Sequence, residues 1–197
     1  MSLDTLQDLY FEQIRDLYSA EQQIVDALPK MVEEAANQEL SDGFAKHLEQ
    51  TREHVRRLEE IGERMEEKIG GKKCKGMAGL LKEGEEAVGE EGEPTITDAG
   101  LIAAAQRVEH YEIAAYGCAR TFAEALGLDD DVELLQQTLD EEAETDEKLT
   151  AIGLSLLAPI SEGEGEGERE VSIEPEVRRS SGGAQRRAKR GGDDVRA

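Results

Sequence analysis

The chain has 197 residues, of which 35% are charged and 4% aromatic, and it contains no tryptophan. This length suits one domain with an appendage, and the composition favours helices over sheets, which depend on β-branched and aromatic residues. No apolar run reaches the roughly 18 residues that a membrane span needs. The formal net charge of -23 argues against nucleic-acid binding by the body of the protein. Because no basic, apolar leader is evident, a cytoplasmic location is expected.

The first two predicted helices form a hairpin. Apolar residues at helical spacing predict a first helix from about Leu3 to Asn37, with Pro29 inside it. The second helix is predicted from about Asp42 to Lys68, with Ser41 as its N-cap. The link between them is so short that the two helices are expected to lie antiparallel.

A long connection separates this hairpin from the next helix. Glycines and a proline break the helical pattern over residues 69–96, leaving one weak amphipathic piece from Met77 to Val88. The connection is too long for a turn, so it is expected to cross the length of a bundle. The third helix is predicted to begin at a Thr97 cap and to run to Leu126, where Gly127 ends it.

The fourth predicted helix opens at Asp129 to Asp131 and ends before Pro159. Residues 160–197 alternate glutamate and glycine and then become rich in serine, glycine and arginine. So few apolar residues cannot offset the entropy of ordering, which predicts a disordered tail beside a domain of residues 1–159. The basic end of this tail is expected to contact nucleic acid or an acidic partner only weakly and without specificity.

Together these elements predict an all-α, antiparallel four-helix bundle with a long crossover between its second and third helices. This connectivity resembles that of ferritin-like bundles. The two cysteines, Cys74 and Cys118, have no metal-binding spacing and are expected to be reduced and unpaired.

Polar residues interrupt the apolar faces of these helices. Glu21 lies between Leu17 and Ile24 on the first helix, and the second places His47 and His54 near its apolar face. The third and fourth helices add inward carboxylates, namely Glu109, Glu112, Glu142 and Asp146. Buried carboxylates are costly unless they are neutralised, paired or bound to a cation, and this set of oxygen and imidazole groups suits iron, manganese or zinc.

Six short stretches resemble the YciE/YciF family, a group of small ferritin-like proteins associated with stress responses. They are residues 16–21 (DLYSAE), 28–31 (LPKM), 47–51 (HLEQT), 73–77 (KCKGM), 109–116 (EHYEIAAY) and 141–146 (EEAETD). The resemblance covers about residues 3–157 and implies the ferritin-like fold. Its match to the wider di-iron class is partial, because Thr51 stands where that class has a glutamate three residues before the histidine His54.

Two functions remain open. In the first, one or two iron or manganese ions bind without an organic cofactor and support iron–oxygen or peroxide chemistry. The predicted metal ligands are Glu21, His54, Glu109, Glu112, Glu142 and Asp146, and no catalytic residue is assigned. In the second, a homodimeric, non-catalytic stress protein binds a partner, and its inward carboxylates pair with histidine, arginine and lysine. A storage cage is a weaker third alternative.

Overall fold

The computed structural model describes residues 3–88 and 92–163, and all regular secondary structure in these ranges is α-helical. The helices are α1 (Leu6–Glu34), α2 (Gln38–Arg64), α3 (Lys75–Val88), α4 (Pro94–Leu126) and α5 (Asp129–Gly163). None of them combines the length and apolar character that crossing a membrane requires. The all-α prediction is confirmed, and the weak amphipathic piece from Met77 to Val88 lies within the short helix α3.

The four long helices pack as two hairpins. α1 contacts α2, α4 contacts α5, and the hairpins meet through contacts of α1 with α4 and of α2 with α5. Residues 35–37 join the first pair and residues 127–128 join the second, so the helices within each pair are antiparallel. The shorter helix α3 packs against both α1 and α4.

The start of α2 differs from the prediction. Asn37 caps the helix, and its side-chain oxygen accepts the backbone N–H of Leu40 at 3.1 Å. Ser41, the predicted cap, lies inside the helix and donates to the carbonyl oxygen of Val32 at 2.9 Å. The buried carboxylate of Asp98 on α4 accepts the backbone N–H of Asn37 at 2.8 Å. This contact from another helix fixes the loop before α2 and places the helix start earlier than the local sequence indicates.

The ends of α4 and α5 correct two further predictions. Glu93 caps α4, so Thr97 lies within the helix and is not its cap. Gly127 ends α4 as predicted, with a φ of 72° in the left-handed region that favours glycine. α5 continues through Pro159 to Gly163, because the proline removes only one backbone hydrogen bond near the end of a long helix. The rest of the predicted tail, residues 164–197, lies outside the described residues.

Two apolar clusters fill the bundle, one in each half of its length. The Phe44 cluster consists of Ala20, Ile24, Leu28, Leu40, Phe44, Cys74, Met77, Leu101, Ile102, Ala105, Val108, Leu149 and Ile152. The Tyr10 cluster consists of Tyr10, Phe11, Ile14, Leu17, Leu58, Ile61, Ile69, Tyr116, Ala119, Ala123 and Leu135. Most of the buried polar residues lie where these two clusters meet along the helices, so they form a polar layer at the middle of the bundle, whereas Asp98 and Asp131 lie near helix starts.

Candidate metal centre

Four carboxylates from three helices meet in the polar layer. α1 supplies Glu21, α4 supplies Glu109 and Glu112, and α5 supplies Glu142. Each of these residues is at most 2% exposed. Their spacing along apolar helix faces explains this burial, because positions three or four residues apart share one side of a helix. The prediction that these four side chains point inward is confirmed.

α2 contributes two buried histidines to the same layer. His47 and His54 are 4% and 0% exposed. They are separated by seven residues, which is close to two helical turns, so both rings leave the same face of α2. The sequence pattern predicts that both histidines lie near the apolar face, but only His54 was predicted to be a metal ligand. Their shared face is the signal that could have identified His47 as well.

These six residues form two overlapping groups of ligand atoms. We call Glu21, His54 and Glu142 the His54 site, and we call His47, Glu109, Glu112 and Glu142 the His47 site. Within each site, one ligand atom from every residue lies within 4.8 Å of the others. Because Glu142 belongs to both sites, the two sites are adjacent and share one carboxylate.

The His54 site is held together by direct contacts. Nδ1 of His54 lies 2.9 Å from Oε1 of Glu142 and 3.4 Å from Oε1 of Glu21. The hydroxyl of Tyr116 donates a hydrogen bond to the same Glu21 oxygen. Three helices besides α2 therefore place groups around one imidazole.

The second ring nitrogen of His54 contacts an outer ion pair. Nε2 lies 2.9 Å from a carboxylate oxygen of Glu141, and Arg57 donates to both oxygens of that carboxylate at 2.7 and 3.0 Å. Arg57 also donates to the hydroxyl of Thr138 at 3.0 Å. A carboxylate on the outer nitrogen fixes the orientation of an imidazole and increases its strength as a metal ligand. This contact leaves Nδ1 of His54 facing the centre of the bundle.

The His47 site has looser contacts. Nε2 of His47 lies 3.4 Å from Glu109 and 3.8 Å from Glu142, and its Nδ1 lies 3.4 Å from the hydroxyl of Thr145. Burial lowers the pKa of His47, which favours the neutral imidazole that binds metals. Both side-chain oxygens of Glu112 are buried without a hydrogen-bond partner in the described residues.

The electrostatics separate charged groups from neutral ones. Burial, together with neighbouring carboxylates, raises the pKa of Glu109 and of Glu112 well above the usual range, which favours their protonated forms in the metal-free protein. Burial alone would lower the pKa of His54, but the carboxylates around it outweigh this effect and raise it to about 12. Burial would likewise raise the pKa of Glu142, but contact with His54 lowers it. In the metal-free protein these shifts favour a buried His54–Glu142 ion pair beside protonated Glu109 and Glu112.

Asp146 is the one predicted ligand that the structure does not bring to this layer. Its side chain is 20% exposed, accepts a hydrogen bond from Gln106 at 3.1 Å and lies 3.4 Å from Nε2 of His110. Four residues of helix turn by more than a full circle, so Asp146 is rotated about 40° beyond Glu142. That rotation is enough to carry the side chain to the edge of the bundle.

The remaining residues fit a metal ion chemically. Oxygen and imidazole donors suit iron, manganese and zinc. Among the described residues, one oxygen each of Glu21 and Glu109 and both oxygens of Glu112 are buried without a hydrogen-bond partner, and each of these residues belongs to one of the two sites. Buried polar atoms are usually satisfied, so these unpartnered oxygens are suited to bind a cation.

Comparisons with known proteins find close relatives. The domain of unknown function DUF892 matches residues 5–158. Protein YciF of Escherichia coli strain K12 is 41% identical over 156 residues, which cover 79% of this chain and 94% of that protein. The crystal structure of the E. coli stress protein YciF is similar with a TM-score of 0.76 and 40% identity, covering 79% of this chain and 98% of that one.

Two further solved structures share the fold. YcfI of Rhodopseudomonas palustris, described as a candidate structural protein, has a TM-score of 0.73 and 44% identity, covering 76% of this chain and 95% of that one. A protein of Xanthomonas campestris has a TM-score of 0.64 at 17% identity, covering 82% of this chain and 99% of that one. The latter likeness concerns the fold alone.

Proposed function

The chain belongs to the YciE/YciF family, which is described as the domain of unknown function DUF892, and from this premise we propose that it is a ferritin-like, stress-associated protein that binds two iron or manganese ions. The observation that carries the proposal is the pair of adjacent ligand groups that share Glu142. The ferritin-like four-helix bundle, with α3 on the crossover between its hairpins, is part of the same proposal. Stress association enters from the description of the E. coli relative.

The position of Glu142 in both ligand groups supports a pair of ions. One of its oxygens lies 2.9 Å from His54 and the other lies 3.8 Å from His47. If two ions bind, Glu142 would therefore be a ligand common to both sites. The separate carboxylates are then Glu21 for the His54 site and Glu109 with Glu112 for the His47 site.

The side chains also set the charge of the centre. Two bound divalent ions would bring four positive charges, and the four buried carboxylates would balance them once Glu109 and Glu112 release their protons and Nδ1 of His54 releases its own. Because each ion would have only a few protein ligands, some of its coordination positions would stay open for a small molecule. A redox-active metal there would supply the electron transfer for chemistry with oxygen or peroxide.

A second candidate function has its own support. A chain of ion pairs that needs no metal runs from Arg57 through Glu141 and His54 to Glu142. A relative is described as a candidate structural protein, and the end of α5 exposes Leu154 and Leu157 to solvent. These features favour a non-catalytic homodimer or partner-binding protein in which the polar layer is structural.

Metal titration distinguishes the two functions. Metal-depleted protein would be titrated with Fe(II) or Mn(II) without oxygen, and bound ions would be counted by elemental analysis and located by anomalous diffraction. We expect two ions per chain, both in the polar layer. At a free metal concentration of about 100 times Kd, we expect Tm to rise by roughly 5–10 °C.

The matched control is Glu144→Gln, which changes an exposed carboxylate on the same helix as Glu142. It should leave the metal count at two. If wild-type protein binds no ion and keeps its Tm at saturating metal, the metal proposal fails. A stable dimer in light scattering together with that result would support the structural alternative.

A further inference from the structure

A cavity of about 130 Å³ lies in the half of the bundle that contains the Phe44 cluster. Residues from all five helices line it. Most of its walls are apolar, and they include Ile24, Leu28, Phe44, Leu101, Val108 and Leu149. Small residues leave the space open, since Ala27 lines it on α1 while Ala104 and Ala105 line it on α4.

The two ends of the cavity differ in polarity. His47, Glu109 and Thr145 line it at the polar layer of the bundle. At the other end, exposed Lys30 on α1 and exposed Glu85 on α3 lie at its rim, so the cavity opens to solvent beside these two helices. It therefore connects the outside of the protein with the His47 site through an apolar passage.

We propose that this cavity binds a small, uncharged, largely apolar organic molecule of about the size of benzene. Its volume is close to that of apolar cavities of about 150 Å³ that bind benzene. Charged residues line only its rim, and few polar groups converge at its inner end, as in binding sites that orient an apolar ligand. An anion is disfavoured, because it would leave water for apolar walls and approach the buried carboxyl group of Glu109.

Binding in the cavity depends on its own walls and needs no metal. Only the role of the bound molecule as a substrate rests on the proposed metal function, because that role requires an ion next to His47 and Glu109. The cavity thus extends the proposed function by a ligand class, and the two can fail separately.

The test uses three probes of similar shape: benzene, phenol and benzoate. Full-length, metal-free protein with labelled methyl groups would be titrated with each probe, and NMR shifts of Ile24, Leu101 and Val108 would report occupancy. We expect saturable shifts with benzene and with phenol, and at least a tenfold weaker response to benzoate. Repeating the titration with metal-loaded protein should give shifts at the same methyl groups.

Two variants fill the cavity from opposite walls. Ala105→Leu on α4 and Ala27→Leu on α1 should each weaken benzene binding at least tenfold and leave Tm at or above the wild-type value. The control Ala103→Leu adds the same atoms at an exposed position of α4 and should bind benzene like the wild type. The second filling variant keeps the test decisive if the first one does not fold.

The proposal is overturned if metal-free wild type shows no saturable shift with benzene or phenol. It is also overturned if benzoate binds as tightly as benzene, or if a folded filling variant binds benzene as the wild type does. Benzene binding without any metal binding would uphold the cavity and reject the metal function. Two bound ions without benzene or phenol binding would do the reverse.

Discussion

The two halves of the metal centre are stabilised in different ways. In the His54 site, both nitrogens of the imidazole face carboxylates and Tyr116 donates to Glu21. In the His47 site, the imidazole contacts are longer, and neither oxygen of Glu112 has a hydrogen-bond partner within residues 3–88 and 92–163. Ion pairs therefore preform the first half, whereas the second half depends on protons or a cation. A bound metal ion should therefore stabilise the His47 site more than the His54 site, because the carboxylates of the His47 site lack other partners.

The largest expected effect comes from the residue common to both halves. Glu142→Gln should abolish binding of both ions, because each site loses one of its carboxylates. It should also destabilise the metal-free protein by about 3 kcal/mol, since the charged His54 loses its nearest partner inside the bundle. Elemental analysis and urea unfolding at neutral pH would measure the two effects.

The control for this experiment is again Glu144→Gln, whose effect on stability should stay within about 0.5 kcal/mol. Retention of both ions in the Glu142→Gln variant would show that the shared carboxylate is not a ligand. Loss of a single ion would assign Glu142 to one site only and remove the bridge between them.

The second prediction separates the two halves. Glu112→Gln should leave the free energy of unfolding of the metal-free protein within about 1 kcal/mol of the wild type, because glutamine has the shape of the protonated glutamic acid. The same variant should lose the ion of the His47 site and keep the ion of the His54 site. Anomalous diffraction on metal-loaded crystals would show one peak where the wild type shows two.

An equal loss of both ions in Glu112→Gln would contradict the comparison, because the sites would then bind metal only as one unit. A large loss of stability in the metal-free Glu112→Gln variant would contradict the prediction that Glu112 is neutral. It would mean that Glu112 is charged and paired, and that its pKa is not raised by burial.

The third prediction concerns the outer carboxylate of the His54 site. Glu141→Gln should weaken that site by about 10- to 100-fold and leave the His47 site unchanged, since an outer partner of a histidine ligand acts on that histidine alone. Metal titration followed by the occupancy of each anomalous peak would measure this difference. Equal weakening of both sites would show that Glu141 acts through the whole bundle instead.

The same variant has a pH signature. Burial would raise the pKa of Glu141, but contacts with His54 and Arg57 outweigh it and lower the pKa from 4.5 to about 2. The stability from these contacts is therefore complete above pH 4.5 and is lost as the pH falls towards 2. In metal-free protein, the stability difference between wild type and Glu141→Gln should shrink over this window, as urea unfolding at several pH values would show.

The helices and their inward faces could be predicted from the sequence, because apolar spacing repeats over many residues in each. The starts of α2 and α4 could not. Ser41 and Thr97 are good caps by residue type, but Asn37 and Glu93 serve instead. At α2 the choice depends on Asp98, which is distant in the sequence and binds the amide of Asn37.

The predicted metal ligands were likewise only partly identifiable from the sequence. Five of the six predicted residues meet in the polar layer, because their helix faces are set by long apolar stripes. Asp146 is rotated by about 40° around the helix axis from Glu142. An apolar pattern of period 3.6 is too coarse to show whether a residue at that angle points into the bundle or to its edge. The contacts of Arg57 and Glu141 join residues far apart in the chain, so only the packing of α2 against α5 reveals them.

The smallest expected effect tests the hydrogen bond from Tyr116 to Glu21. Tyr116→Phe should cost about 1 kcal/mol in metal-free stability, because one oxygen of a buried carboxyl group loses its donor. Metal affinity at the His54 site should fall by less than about tenfold, since His54 and all three of its carboxylate contacts remain. The matched control is Tyr10→Phe in the Tyr10 cluster, where a buried hydroxyl donates to Asp131 at 3.0 Å.

If both variants lose similar stability and only Tyr116→Phe changes metal affinity, Tyr116 belongs to the His54 site. Identical metal affinities in the two variants would reduce its hydrogen bond to a structural contact.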